Sequence, residues 1–197
     1  MSLTVDHARA QVTGPDEEIR ALLAEDAPPA LEPPLLADGV RAARSPDARF
    51  RVTGLEEPLE AVADARAAAL VLPLAGGRTA LRGCTPSGLL GVLVRAVRLR
   101  PRPRAGGEPL TVPARVVGER SGAEEPLQAH LDALVAHWRI EAYGPGIGWY
   151  VEVLDSELGL WLVEARPEGE LTLTPTTATA VLDELAALPG HVGLGPS

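Results

Sequence analysis

The stretch that decides the fold is 160-LWLVEARPEGELTLTPTTATAVLDELAAL-188. It begins as an apolar strand, turns at a glycine, returns as a second alternating strand and ends in an aliphatic segment. Between the second strand and that segment, Thr174-Pro175 supplies a helix-capping residue and a proline suited to the first helical turn. An apolar stripe at helical spacing follows: Val181, Leu182, Leu185 and Leu188. The stretch therefore predicts a β-hairpin that runs directly into a helix.

The same order of elements starts 90 residues earlier, at Leu70 instead of Leu160, in 70-LVLPLAGGRTALRGCTPSGLLGVLVRAV-97. Gly76-Gly77 predicts the tight turn of this copy, and Thr85-Pro86 predicts the start of its helix. Two copies of a strand–strand–helix unit predict a pseudo-twofold repeat. The predicted fold class is α+β, with the hairpins joined in one central antiparallel sheet and the helices packed on it.

The patterning also predicts how the chain is divided. Residues 1–32 form a weakly patterned helical segment, residues 33–190 a single α+β domain, and residues 191–197 a tail. Within the domain we expect two similar halves, 33–118 and 119–190, because each contains one copy of the repeated unit.

In the second half, a helix is predicted to precede the strands. Ser121–Glu124 has the form of a capping box. The apolar stripe of this helix is Leu127, Leu131, Leu134 and Val135. Two of the strands that follow, 138–143 and 149–154, contain Trp138 and Trp149 on faces that we expect to lie in the core, since both tryptophans alternate with aliphatic residues.

Two tyrosines lie on the opposite, mixed polar faces of these strands. Tyr143 and Tyr150 are candidate partner-binding residues, because tyrosine offers a large contact area at a low cost in side-chain entropy. The alternative is that both simply lie at the boundary between core and solvent.

An arginine-rich stretch supplies the second group of candidates. Arg95, Arg98, Arg100, Arg102 and Arg104 form one basic island on a chain whose net charge is −9. No aromatic residues are interleaved with them, so the stacking platform of a single-strand nucleic-acid binder is missing. Either this is a solvated, proline-stiffened loop, or Arg98, Arg100 and Arg102 dock to an acidic partner.

Composition excludes several classes of protein. The acidic balance argues against binding to nucleic acid or to an anionic membrane. The longest apolar stretch, 67–74, is too short to span a bilayer and contains a proline. The first 14 residues lack a basic segment followed by an apolar run, so we expect a cytoplasmic protein.

Reactive groups are sparse, and we therefore expect neither an enzyme nor a metal or cofactor site. The four histidines, His7, His130, His137 and His191, are scattered along the chain. The single cysteine, Cys84, follows a strand pattern where a buried, inert thiol is typical, although its place just before a helix leaves a nucleophile as the alternative. The loop 83–88 lacks the lysine of a phosphate-binding loop.

Several segments together carry a resemblance to a known family. Residues 153–163 (VLDSELGLWLV) lead through 167–175 (PEGELTLTP) into a Leu/Ala helix, and two earlier stretches, 35–52 and 67–117, show related patterns. In this order they resemble the EspG family of chaperones associated with actinobacterial type VII (ESX) secretion. The resemblance spans most of residues 33–190.

The resemblance implies a chaperone that binds the helical tip of PE–PPE-type substrate heterodimers, keeps them soluble and directs them to their secretion system. It also implies a central antiparallel sheet with two helical bundles related by quasi-twofold symmetry. The chain departs from the family at Gly159-Leu160, where Gly-Arg is usual. Two other classes stay open from the residues alone: a small α+β enzyme, and an immunity-type or regulatory binding protein for another partner.

Overall fold

One antiparallel sheet organises the molecule. The computed structural model describes residues 3–24, 31–56 and 58–194, and within them eleven strands pair in the order β1-β2-β6-β5-β4-β3-β8-β9-β10-β11-β7. The strands are β1 (Thr4–Asp6), β2 (Gln11–Pro15), β3 (Ala48–Thr53), β4 (Leu59–Ala63), β5 (Ala68–Leu74), β6 (Arg78–Cys84), β7 (Leu110–Pro113), β8 (Leu134–Gly144), β9 (Ile147–Ser156), β10 (Gly159–Ala165) and β11 (Glu170–Thr176). The helices are α1 (Asp16–Ala24), α2 (Pro34–Arg44), α3 (Pro86–Ala96), α4 (Ala114–Glu119), α5 (Leu127–Asp132) and α6 (Ala178–His191).

The strand order repeats itself about the middle of the sheet. Outward from the centre it runs β3-β4-β5-β6-β2 on one side and β8-β9-β10-β11-β7 on the other. Each half contains a strand, two helices, a four-strand meander and a final helix. The halves meet where β3 pairs with β8, with Arg51 opposite Glu141. The predicted α+β class, with one antiparallel sheet and a pseudo-twofold repeat, is confirmed.

Each repeating half of the sheet begins earlier in the chain than the halves predicted from the sequence, 33–118 and 119–190. The first begins at β2, inside the segment 1–32, and the second at β7, ahead of the predicted division between 118 and 119. Residues 1–2 and 25–30 of the first segment lie outside the described residues, as do residues 195–197 of the tail.

Helices cover the two faces of the sheet differently. On one side, α3 and α6 pack over the centre, where Phe50, Trp138 and Ile140 are buried. On the other side, α1 and α2 pack over the first half around Leu36, and α4 and α5 pack over the second half around Trp161. We call the first side the covered face. The open face is the centre of the second side, where Arg49 and Arg51 of β3 and Tyr143 of β8 are exposed.

The two Thr-Pro signals differ in outcome. Thr85 caps α3 as predicted, accepting a hydrogen bond from the Gly88 amide at 3.1 Å. The prediction for Thr174-Pro175 is wrong, because β11 continues to Thr176 and the cap of α6 is Thr177. Pairing with β10 keeps this segment extended, and Pro175 is tolerated because the pairing of β11 with β7 ends at Leu173.

The predicted helix with a stripe ending at Leu134 and Val135 is also wrong at that end. Helix α5 stops at Asp132, and β8 begins at Leu134, which pairs with Ser156 of β9. Only the first part of the stripe, Leu127 and Leu131, is buried against the sheet. Strand pairing therefore overrides the local helical pattern. Strands β1, β2 and β4 and helix α4 were not predicted.

The two tryptophans predicted to lie in the core differ in their exposure. Trp138 is 1% exposed, as expected, whereas Trp149 is 45% exposed and the prediction for it is wrong. Trp149 lies near the end of the β8–β9 hairpin, where its ring stacks on His191 at the end of α6 with ring centroids 4.4 Å apart. The strand alternation gives the face correctly, but the helix layer ends before it encloses the ring.

Helix α2 lies unusually close to β6 at two glycines. A methyl group at Gly39 would come within 2.7 Å of the Cα atom of Gly83, and a methyl group at Gly83 would collide with the Leu35 carbonyl. Real side chains do not approach backbone atoms this closely. The first half therefore depends on glycine at both positions.

We expect Gly83→Ala to lower the free energy of unfolding by about 1–3 kcal/mol, because the added methyl group forces α2 away from the sheet. Urea denaturation would measure the change. The matched control is Gly91→Ala in α3, whose methyl group meets only the Arg95 guanidinium at 3.5 Å. That variant should gain up to about 1 kcal/mol from helix propensity. Equal stability of Gly83→Ala and the parent chain would contradict the close packing.

Candidate functional site

The open face presents polar side chains from the two central strands. Arg49 and Arg51 of β3 are exposed there, while Phe50 and Val52 between them are buried on the covered face. On β8 the same alternation places Arg139, Glu141 and Tyr143 on the open face. The face is therefore a surface of mixed charge, flanked on both sides by helices.

A compact ion network holds the β8–β9 part of this face. His137 Nε2 lies 2.7 Å from Glu152 Oε1, and Arg139 lies 3.6 Å from the second oxygen of the same carboxylate. Arg139 also lies 3.0 Å from Glu141 and stacks over the Tyr150 ring, 4.1 Å from its centroid. These contacts hold the side chains in one arrangement, so the face is presented in an ordered form.

The two candidate tyrosines are on this face but differ in how far they are available. Tyr143 is 47% exposed, and its hydrogen bond with Glu141, followed by partial burial, raises the pKa of its hydroxyl. Tyr150 is only partly exposed, and its hydroxyl accepts a hydrogen bond from the Ala165 amide at 2.9 Å. Their common role in partner binding stays a prediction.

The three candidate arginines line a cleft of about 500 Å³ at the end of α3, which we call the arginine cleft. Arg98, in a left-handed conformation (φ 53°), and Arg100 are exposed at it. Arg102 differs, because its Nε lies 2.7 Å from the carboxylate of Asp155, whose side chain is only 4% exposed. Arg102 thus ties the loop to β9, and its predicted role in partner binding stays untested.

The structure does not bring the tyrosines and the arginines together. Asp155 follows Val151 and Val153 on the covered face, so the arginine cleft and the tyrosine pair lie on opposite sides of the sheet. Sequence reasoning missed the other open-face residues, Arg49 and Arg51, since alternating arginines on a half-buried strand carry no functional signal of their own.

Reactive side chains in the described part of the chain are few. Burial raises the pKa of the Cys84 thiol, with a smaller opposing effect of Arg82, which disfavours the thiolate that a nucleophile requires. His130 is buried with its ring edge-on to Trp161, and burial lowers its pKa. Over residues 3–24, 31–56 and 58–194, no three His, Cys, Asp or Glu side chains are placed to hold a metal ion.

The fold has counterparts among solved structures. No protein-family model matches the chain, and no curated protein matches its sequence. It is similar to the structure of the Mycobacterium tuberculosis type VII secretion system chaperone EspG5 in complex with a PE25–PPE41 dimer, with a TM-score of 0.57 and 13% identity. The match covers 94% of this chain and 98% of that chain, so it concerns the whole fold.

This likeness establishes a distant, EspG-like fold relationship, in agreement with the architecture that the sequence resemblance implied. At this identity it concerns the fold alone. Separately, none of the helices in the described residues is both long and apolar enough to cross a membrane.

We expect Arg102→Ala to lower the free energy of unfolding by about 3–5 kcal/mol, because it leaves the Asp155 carboxylate buried without its partner. Arg100→Ala, at an exposed position in the same loop, should change stability by no more than about 0.5 kcal/mol. Replacing both partners, as Arg102→Met with Asp155→Leu, should recover part of the loss. Chemical denaturation distinguishes these cases, and an Arg102→Ala variant as stable as Arg100→Ala would show that the ion pair does not hold the loop.

We expect the protein to lose stability as the pH falls from about 7.5 to about 5.5, in part through His130. Burial lowers its pKa in the folded protein, so below about pH 6.5 the unfolded chain takes up a proton there more readily than the folded chain. His130→Phe removes this contribution, and its melting temperature should fall less over the same range. Thermal melts of both proteins test this; parallel declines would exclude a contribution from His130.

Proposed function

We propose that the chain is a binding chaperone or adaptor for a helical heterodimer of the PE–PPE kind and carries out no catalysis of its own. The observation that carries the proposal is the end-to-end likeness of its fold to that of the type VII secretion chaperone EspG5, whose structure is a complex with a PE25–PPE41 dimer. The patterns of residues 153–163 and 167–175, which resemble the EspG family, support the same class of function.

The distribution of exposed apolar side chains supports a docking role. Most of the large exposed hydrophobic residues among those described lie in the second half: Val135, Tyr143, Ile147, Trp149, Leu158 and Leu182. Tyr143, Ile147 and Trp149 lie at the end of the β8–β9 hairpin, which we call the hairpin tip, with Tyr143 on the open face and Trp149 on the covered face. Exposed apolar side chains grouped in this way are typical of interaction surfaces.

The hairpin tip adjoins the open face, and the two surfaces together offer what a helical partner requires. Apolar and aromatic side chains at the tip can serve as anchors in the centre of an interface. The mixed charges of β3 and β8 can orient the partner at its rim. A helix docking across a sheet face between two pairs of helices is a variant of helix-in-groove recognition.

The test is co-expression of the tagged chain with PE–PPE-like pairs encoded by neighbouring genes, followed by affinity capture and size-exclusion chromatography. We expect a stoichiometric complex. Combined Tyr143→Ala and Ile147→Ser changes at the hairpin tip should weaken it at least about tenfold, since anchor residues typically contribute more than about 1 kcal/mol each.

The matched control for these changes is Leu74→Ser on β5, in the first half. Leu74 is 43% exposed, close to the 47% of Tyr143, so the two sites are comparably accessible. That variant should bind as the parent chain does. Failure to capture any such pair, when the pair is itself folded and soluble, would contradict the proposal. So would turnover of a small metabolite by the purified chain.

A further inference from the structure

Strands β9 and β10 separate along part of their length. Strand β9 is in register with β8 from Ile147 to Ser156, and β10 is in register with β11 from Leu160 to Ala165. Between β9 and β10, however, the pairing ends at Val153–Leu162. Beyond that pair, towards the hairpin tip, no residue of β9 is in register with a residue of β10. We call this opening the split.

A cleft of about 500 Å³ occupies the split. It is lined by the unbroken runs 148–152 of β9 and 162–165 of β10, together with Glu184 of α6. Successive side chains of a strand point to opposite faces, so a groove lying on one face would be lined by every second residue. The pairing of β9 with β10 ends at Val153–Leu162, and consecutive residues of both strands line the cleft, which fits a cleft that runs between the strands along their main chains.

Contacts on either side hold the two strands apart. The β8–β9 hairpin is held against the end of α6, because Trp149 stacks on His191 and the chain at Gly144 packs directly on the Val192 carbonyl. Strand β10 is instead held by its pairing with β11. Across the opening, the Ala165 amide donates to the hydroxyl of Tyr150 at 2.9 Å instead of to a main-chain carbonyl. This side chain takes the place that a strand carbonyl would occupy.

We propose that the split binds a short, extended, basic peptide segment, which adds as a strand between β9 and β10. Two edges with unmatched main-chain groups bound the site, and these groups provide the affinity in strand addition. The split is about four residues long, roughly 13 Å at about 3.3 Å per residue. This site adjoins the hairpin tip and shares Trp149 with it, but it takes a different kind of occupant and does not depend on the assignment of a helical partner.

The charge of the lining selects the basic class of peptide. Glu152, Glu164 and Glu184 contribute three carboxylates, and the lining residues contain no cation. Glu152 is already paired with its neighbours on the open face, and Glu164 has a long contact of 3.8 Å with Arg166. Glu184 forms no ion pair with any other described residue and is exposed, so it is free to bind an incoming cation.

The pseudo-twofold repeat supplies an internal comparison. In the first half the equivalent strands, β4 and β5, pair from Glu60–Val71 to Ala63–Ala68, almost the full length of β4. Strand β9 is twice as long, ten residues against five, and its additional length borders the split. Within the described residues the split therefore belongs to the second half, where the two copies have diverged.

The test uses a blocked pentapeptide, Val-Arg-Val-Arg-Val, whose two arginines share one face when it is extended. At a peptide concentration of about 1 mM, we expect the NMR signals of amides in 148–152 and 163–165, above all that of Ala165, to shift. The same peptide with glutamate in place of arginine should bind at least about fivefold more weakly. A version with methylated backbone nitrogens should not bind, since it cannot donate main-chain hydrogen bonds.

Two protein variants sharpen the test. Glu184→Arg should weaken binding of the basic peptide by about two- to fivefold, whereas Asp183→Arg, the same change of charge at the next exposed position of α6, should not. Tyr150→Phe frees the Ala165 amide from its internal acceptor and should bind the peptide about threefold more tightly, as one competing hydrogen bond is lost.

Several results would overturn the proposal. They are an absence of shifts at the split, equal binding by the methylated peptide, or shifts confined to the arginine cleft. Concentration-dependent protection of the same amides without peptide would assign the split to a second copy of the chain and overturn it as well. Glu184→Arg should still capture a PE–PPE-like pair, so the failure of this proposal and that of the proposed chaperone function are distinguishable.

Discussion

The structure depends on the pairing of β3 with β8. Each half begins its meander with a strand whose outer edge would carry unmatched main-chain donors and acceptors, and the pairing of Arg49–Thr53 with Arg139–Tyr143 satisfies them. The same contact brings Phe50 and Trp138 into one buried cluster beneath α3 and α6. A single hydrogen-bonded seam therefore converts two small half-sheets into one sheet with a shared core.

That seam also explains where partner-binding surfaces can form. Helices α3 and α6 cover the centre of the sheet on one side. On the other side, α1 and α2 cover the outer part of the first half, and α4 and α5 cover the outer part of the second half. The seam strands therefore present polar side chains to solvent on that side. The halves then differ in detail around this common frame. The longer β9 of the second half carries both the hairpin tip and the split, so the surfaces available for binding lie mainly on one copy of the repeat.

The outcomes at particular residues show where local patterning is sufficient. The cap at Thr85 was predictable because its hydrogen bond joins residues three apart in the chain. The same pattern at Thr174 misled, because pairing with Leu160 of β10, sixteen residues earlier in the chain, keeps Thr176 extended. Likewise, Arg102 looked like a surface cation in the sequence. Its partner, Asp155, is 53 residues away, and only the folded chain shows that the pair is buried.

The sequence by itself determined the fold class, the duplicated hairpin-and-helix unit and the faces of the central strands, because these follow from alternation and from contacts between near neighbours in the chain. The tertiary structure alone decided the pairing of the two halves, the exposure of Trp149 and the separation of β9 from β10. Each of these depends on competition between distant segments for the same hydrogen-bonding edge or the same apolar cover. Local patterns do not encode the outcome of that competition.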